Sequence, residues 1–116
     1  MPLIEIDALE QRAGIDTTKV VRGLNRAVAE AIPCRLDAVW TVWRTVSGPY
    51  ARGDEVAFEQ PTDSHAPVAH VYLRRTPEET ARVVETIERV LTRELSLAAG
   101  NVFVTVQPVE VPGLHD

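Results

Sequence analysis

One stretch near the start of the chain, MPLIEIDALEQR, carries a candidate base near one end and a candidate anion binder at the other. Pro2 follows the initiator methionine. If Met1 is removed, the ring nitrogen of Pro2 becomes a terminal secondary amine, a base on a rigid ring that no other position in a chain supplies. A free α-amine titrates near ~7.7–8 in short peptides, and a secondary amine is intrinsically somewhat more basic. An apolar pocket or a nearby cation disfavours the charged form and lowers that value. An amine so tuned is neutral at working pH and can accept a proton from carbon beside a carbonyl, a transfer worth roughly 10²–10⁴-fold. Arg12 ends the stretch and offers the complement, since a guanidinium grips a carboxylate through two parallel hydrogen bonds and stabilises developing enolate charge. Both residues also have plainer uses: proline suits a strand start, where its missing amide hydrogen matters least, and arginine suits a solvated turn.

The elements that would hold these groups repeat. PLIEIDAL alternates apolar and acidic residues and predicts a half-buried strand. Asp16, Thr17 and Thr18 offer N-caps to an amphipathic helix from Thr17 to Ile32, with Val20, Val21, Leu24, Ala27, Val28, Ala31 and Ile32 at helical spacing. Pro33 closes it, and AVWTVWRTV (Ala38 to Val46) is rich in β-branched and aromatic residues, which predicts a strand. The second half runs in the same order. PVAHVYLRR (Pro67 to Arg75) predicts a strand, Thr76-Pro77-Glu78-Glu79 a helix start, and Val83, Val84, Ile87, Val90, Leu91 and Leu95 the apolar face of a helix to about Leu95. NVFVTVQPV predicts the closing strand. Sliding one half along the other superimposes Val20-Val21 on Val83-Val84, Arg26 on Arg89, Val39 on Val102 and Val46 on Val109 without a gap.

Two consecutive strand–helix–strand units imply two right-handed crossovers feeding one sheet. The expected fold class is α+β in two layers, with a four-stranded mixed sheet and two helices on one face. The whole chain, 1–116, is read as one domain: a first βαβ unit at 2–46, a connecting loop at 47–66 and a second unit at 67–111. The loop, with its Gly, Pro and Asp content, predicts at most a short strand at Glu55–Phe58, and a loop of that length in a small domain is often functional. Only one sheet face is covered by helices. Trp40 and Trp43 point to opposite faces and Val102, Val104 and Val106 share one, so the open face is expected to be packed inside an oligomer.

Composition narrows the partners. A chain of 116 residues with 45% hydrophobic and 25% charged residues is ordinary globular material that needs no disulfide or metal staple. Cys34 is the single cysteine, which excludes an internal disulfide and favours a reducing compartment. Its place at a helix end reads as a small hydrophobe, since no base is identifiable beside it. His65, His70 and His115 show no ligand spacing, so no metal site and no metal cofactor are expected. A formal charge of −5 argues against nucleic acid as a partner. A basic leader and an apolar run of ~18 residues are both missing, so neither signal peptide nor membrane span is expected and the chain is read as cytoplasmic.

At this point the residues resemble the tautomerase superfamily, whose members are built from such units and use an amino-terminal proline. PLIEIDALEQR resembles the start of its 4-oxalocrotonate tautomerase branch, with Glu10-Gln11-Arg12 where that branch has Glu-Gly-Arg. SGPYARGD resembles that branch's Lys-Gly-His-Phe-Gly stretch and places Tyr50 where an active-site aromatic is usual. The double-unit length resembles the trimeric branches, which implies a homotrimer. The resemblance implies Pro2 as catalytic base and Arg12, Arg74 and Arg75 as candidate carboxylate binders, without a cofactor. The decarboxylase and dehalogenase branches carry two arginines just past the same strand. Theirs are separated, whereas Arg74 and Arg75 are adjacent and point to opposite faces; Arg74 shares a face with His70 and Tyr72 and is the favoured one. The plain reading of either is a surface arginine pairing with Glu78 or Glu79.

Departures from the pattern shape the expected substrate. Trp40 stands where 4-oxalocrotonate tautomerase has an arginine, which argues against a diacid and makes Trp40 either a substrate wall or core and interface packing. Gln107 stands in the strand where the dehalogenase branch has a tyrosine, and the chain stops at PVEVPGLHD without that branch's longer tail. The reading is therefore a tautomerase interconverting enol and keto forms of a small 2-oxo acid, with a small carboxylate as its partner. Two alternatives stand beside it: a decarboxylase of a small 3-oxo acid using a charged Pro2, and a non-catalytic subunit that retains only the fold.

Overall fold

Alternation decides the first strand. In the computed structural model, which describes residues 2–109, β1 (Pro2–Leu9) buries Ile4, Ile6 and Ala8 on one face and half-exposes Leu3, Glu5 and Asp7 on the other. Helix α1 (Thr17–Ala31) covers the buried face. It starts where the Asp16 carboxylate accepts from the amides of Thr18 and Lys19 at 3.0 and 3.4 Å, satisfying two of the donors a helix start leaves unpaired. Val20, Leu24 and Val28, spaced four apart, form its buried stripe.

A 3-10 turn at Leu36–Ala38 then leads into β2 (Trp40–Val46). The strand thus begins two residues later than the β-branched run suggests, because Ala38 and Val39 donate back to Arg35 and Leu36 instead of to a sheet neighbour. The connecting segment holds a hairpin, β3 (Tyr50–Arg52) with β4 (Glu55–Ala57), closed by Gly53 and Asp54 with Gly53 at φ +60. Phe58, expected in the short strand, lies past its end and is exposed.

The second unit is β5 (Val68–Leu73), α2 (Pro77–Glu94) and β6 (Phe103–Pro108). Helix α2 opens on a reciprocal cap: Thr76 Oγ1 accepts from the Glu79 amide at 3.1 Å and donates to the Glu79 carboxylate at 3.2 Å, with Pro77 at the first helical position. Val83, Ile87, Val90 and Leu91 are buried against α1 and the sheet. Residues 110 and 111, assigned to the second unit from the sequence, and the tail that follows lie outside the described residues.

The sheet order is β2-β1-β5-β6, with β1 parallel to β2, β5 parallel to β6 and the two units joined antiparallel through β1 and β5. This is the four-stranded mixed sheet with two helices on one face that the repeat predicts. The uncovered face carries Trp40 and Phe103, 58% and 59% exposed, with Val42 and Val46. Trp43, on the opposite parity to Trp40, packs against the core. Among the described residues no helix is long and apolar enough to cross a membrane.

Candidate active site

Antiparallel pairing fixes what surrounds Pro2. It is buried, opens β1 and lies opposite Leu73, the last residue of β5. The next residue, Leu3, is flanked by Trp40 at the start of β2 and by Tyr72 on β5. Tyr72 in turn faces Gln107 on β6. One end of the sheet therefore gathers Pro2, Trp40, Tyr72 and Gln107, and Arg74 and Arg75 leave β5 directly beside them.

The two arginines part ways there. Arg75 turns toward the helix layer, where its Nη1 donates to Glu79 and to the Pro33 carbonyl, both at 3.3 Å. That is the surface-pairing use of this residue, with Glu79 as the partner. Arg74 is exposed and by strand parity follows His70 and Tyr72 onto the open face. Trp40 is pinned by its Nε1, which donates to the Asp37 carbonyl at 3.1 Å, so its exposed indole is held as a fixed wall next to Leu3.

Arg12 and Tyr50 lie elsewhere. Beyond Leu9 the chain turns at the opposite end of β1, seven residues from Pro2, or ~23 Å at the rise of an extended strand. There Arg12 Nη2 donates to the carbonyls of Leu95 and Ser96 at 3.3 and 3.1 Å, capping the end of α2 where a cation is favoured. Tyr50 donates to the Ala66 carbonyl at 2.9 Å and meets the His65 ring edge-on at 5.1 Å. Burial raises its hydroxyl pKa, which keeps that hydroxyl neutral. Within one chain, then, Pro2, Trp40, Arg74 and Arg75 lie at the same end of the sheet, with Arg75 turned to the helix layer, and Arg12 and Tyr50 lie away from them.

Between the two ends runs a polar belt that residue spacing gave no reason to single out. Arg44 on β2 forks onto Asp7 at 2.7 and 3.2 Å and reaches Glu5 at 3.0 Å; His70 lies 3.2 Å from Asp7 and 3.2 Å from Thr105. Arg44, and after it the Tyr72 hydroxyl, hold the Glu5 carboxyl below its usual range, and Arg44 does the same for Asp7. In return the Glu5 carboxylate raises the Tyr72 hydroxyl pKa. The only sequence signal for the belt is the acidic half of β1's alternation. Among the described residues no group of three His, Cys, Asp or Glu side chains could hold a metal ion.

Solved structures share this architecture. A "fused 4-OT wild type symmetric trimer" superimposes with a TM-score of 0.75 at 18% identity over 92% of this chain and 85% of that one. A member of the cis-3-chloroacrylic acid dehalogenase family matches at 0.72 and 16%, covering 98% of this chain and 79% of that one. Macrophage migration inhibitory factor from Giardia lamblia matches at 0.67 and 8%, covering 91% and 97%. No protein-family profile and no curated protein sequence matches the chain. Covered over 91%, 92% and 98% of its length at TM-scores of 0.67, 0.75 and 0.72, the chain, with its sheet order β2-β1-β5-β6, shares the double βαβ fold of these solved structures.

Proposed function

We propose that the chain is a cofactor-independent keto–enol tautomerase of a small 2-oxo acid, with Pro2 as base and Arg74 as the carboxylate anchor. One observation carries the reading: Pro2 is buried opposite Leu73, and Arg74 is the next residue after Leu73. Removal of Met1 frees the Pro2 amine. In the ketonising direction the amine nitrogen accepts the enol hydroxyl proton and returns a proton to the adjacent carbon, and the carbonyl forms. The reverse takes the proton from carbon and delivers it to oxygen. One proton changes place and no electron leaves the substrate.

Trp40 provides an apolar wall beside the base, and Arg75, through Glu79 and the Pro33 carbonyl, fixes the turn from which Arg74 leaves. Arg12 and Tyr50 enter only as contributions from a neighbouring copy. A homotrimer is supported by the exposed Trp40, Val42 and Phe103 on the open face and by the trimeric fused 4-OT structure of the same fold. The lone Cys34 suits a reducing, cytoplasmic setting.

The test joins intact mass, which reads whether Met1 is removed, with ultraviolet turnover of phenylenolpyruvate. Pro2→Ala is expected to lower kcat at least about 100-fold with an unchanged fold by circular dichroism. Retained turnover rejects the proline mechanism, and retained Met1 favours a non-catalytic binding module.

A further inference from the structure

The polar belt on the open face of the sheet carries an unbalanced charge. Arg44 brings one positive charge and Glu5 and Asp7 bring two negative ones, so the belt stands at −1 with His70 neutral and at zero with His70 protonated. We propose that His70 is a pH switch for assembly of the homotrimer, taking up a proton as the open faces of the copies pack and tightening the trimer as pH falls. The inference rests on the homotrimer and not on the chemistry of Pro2.

The belt lets the charge change while the shape stays. His70 Nε2 lies 3.2 Å from Asp7 Oδ2, and its Nδ1 lies 3.2 Å from Thr105 Oγ1. In the neutral ring Nε2 donates to Asp7 and Nδ1 accepts the Thr105 hydroxyl. In the charged ring both nitrogens donate, and Thr105 need only rotate its hydroxyl. The titratable groups around His70 all lie on the strands, since the helices cover the other side. Glu5 is directly opposite on β1, Asp7 follows it on the same face, and Arg44 faces Asp7 from β2. Tyr72 stands next along that face of β5, with Arg74 past the strand end. The β6 neighbours Thr105 and Gln107 do not titrate.

Assembly is where the imbalance tells. In one chain the His70 and Asp7 side chains are 32% and 29% exposed, and water screens the surplus charge. Packing another copy over the face removes that water, and an uncompensated charge there is costly. A closed trimer brings three such surpluses around one axis, and a proton on each His70 cancels them. The trimer then holds more protons than its separated chains, so association strengthens as pH falls through the histidine range of about 6.5. The gain ends where Glu5 and Asp7 are protonated, below the ordinary carboxylate range of about 4.

The test is analytical ultracentrifugation of the full-length protein over a dilution series, without substrate, at about pH 7.5 and about pH 5.5, either side of the histidine range. The midpoint concentration for assembly is expected to fall at least about tenfold at the lower pH. His70→Gln keeps a neutral donor toward Asp7 and is expected to match the parent at the higher pH and to lose most of the change. Glu5→Gln cancels the surplus without a proton and is expected to assemble more tightly at the higher pH and to gain nothing in acid. A pH-independent midpoint, a trimer that weakens at the lower pH, or the parent's pH dependence in either variant overturns the switch. Single chains at every concentration overturn it together with the trimer. Pro2→Ala is expected to assemble as the parent does, so failure of the tautomerase reading leaves this result standing.

Discussion

Arg44 and Asp7 form a two-pronged ion pair across the parallel β1–β2 ladder, at 2.7 and 3.2 Å, and the same guanidinium extends to Glu5 two residues away on one strand face. The pair spans the open face of the sheet, where one forked guanidinium serves both half-exposed acids.

This pair sets an acid dependence. Arg44 lowers the carboxyl pKa values of Glu5 and Asp7 in the folded chain. Their contribution is therefore fully present above the unfolded carboxylate range of about 4 and is lost as pH falls through the lower folded values. The groups are partly solvated, so the effect is modest. Chemical denaturation from pH 7 to pH 3 is expected to show a shallower acid limb for Arg44→Met than for the parent chain. Parallel curves would remove Arg44 as the cause.

The adjacent arginines after β5 should separate in their effects. Arg74→Gln is expected to raise KM for a small 2-oxo acid by roughly 10–100-fold, the value of a charge-assisted hydrogen bond. Arg75→Gln loses its bonds to Glu79 and Pro33, at a cost of about 1 kcal/mol in unfolding free energy. Equal KM effects from both would mean that strand parity does not sort them.

Much of the framework was readable because periodicity reports burial. Ile4, Ile6 and Ala8, then Val20, Leu24 and Val28, are the buried sets their spacing predicts, and Asp16 and Thr76 cap as their types suggest. What escaped was contact between distant segments. Arg12 sits 83 residues from Leu95, and nothing in its local sequence says that the end of α2 would claim its guanidinium. The hairpin at Tyr50–Arg52 is three residues per strand, too short for alternation to register. Adjacent arginines are equivalent in composition, and only the folded helix shows that Arg75 pairs with Glu79.

The cap on α2 is a separate test of that helix. Thr76 both accepts from the Glu79 amide and donates to its carboxylate, and Pro77 lacks the amide hydrogen that a helix start leaves unpaired anyway. Thr76→Ala removes the hydroxyl and is expected to cost about 1 kcal/mol in denaturant unfolding. The Arg74 turn precedes the cap, so the same variant should also raise KM slightly while leaving the pH dependence of turnover in place.

The pH dependence of turnover separates the base from its rival. If Pro2 takes the proton from substrate, the free amine is the active form, and kcat/KM rises with pH through the range in which that amine deprotonates. If Pro2 instead polarises a carbonyl of a 3-oxo acid on the way to carbon dioxide loss, the ammonium is the active form and the same limb falls. An imine route predicts a third signature, borohydride-dependent mass gain on Pro2 with loss of activity. If Arg74 flanks the amine as proposed, its guanidinium disfavours the protonated form by repulsion. The limb should therefore lie below the range of an ordinary terminal amine, and Arg74→Gln should move it upward. A rising limb that Arg74→Gln leaves in place would keep Pro2 as the base and remove Arg74 from its surroundings.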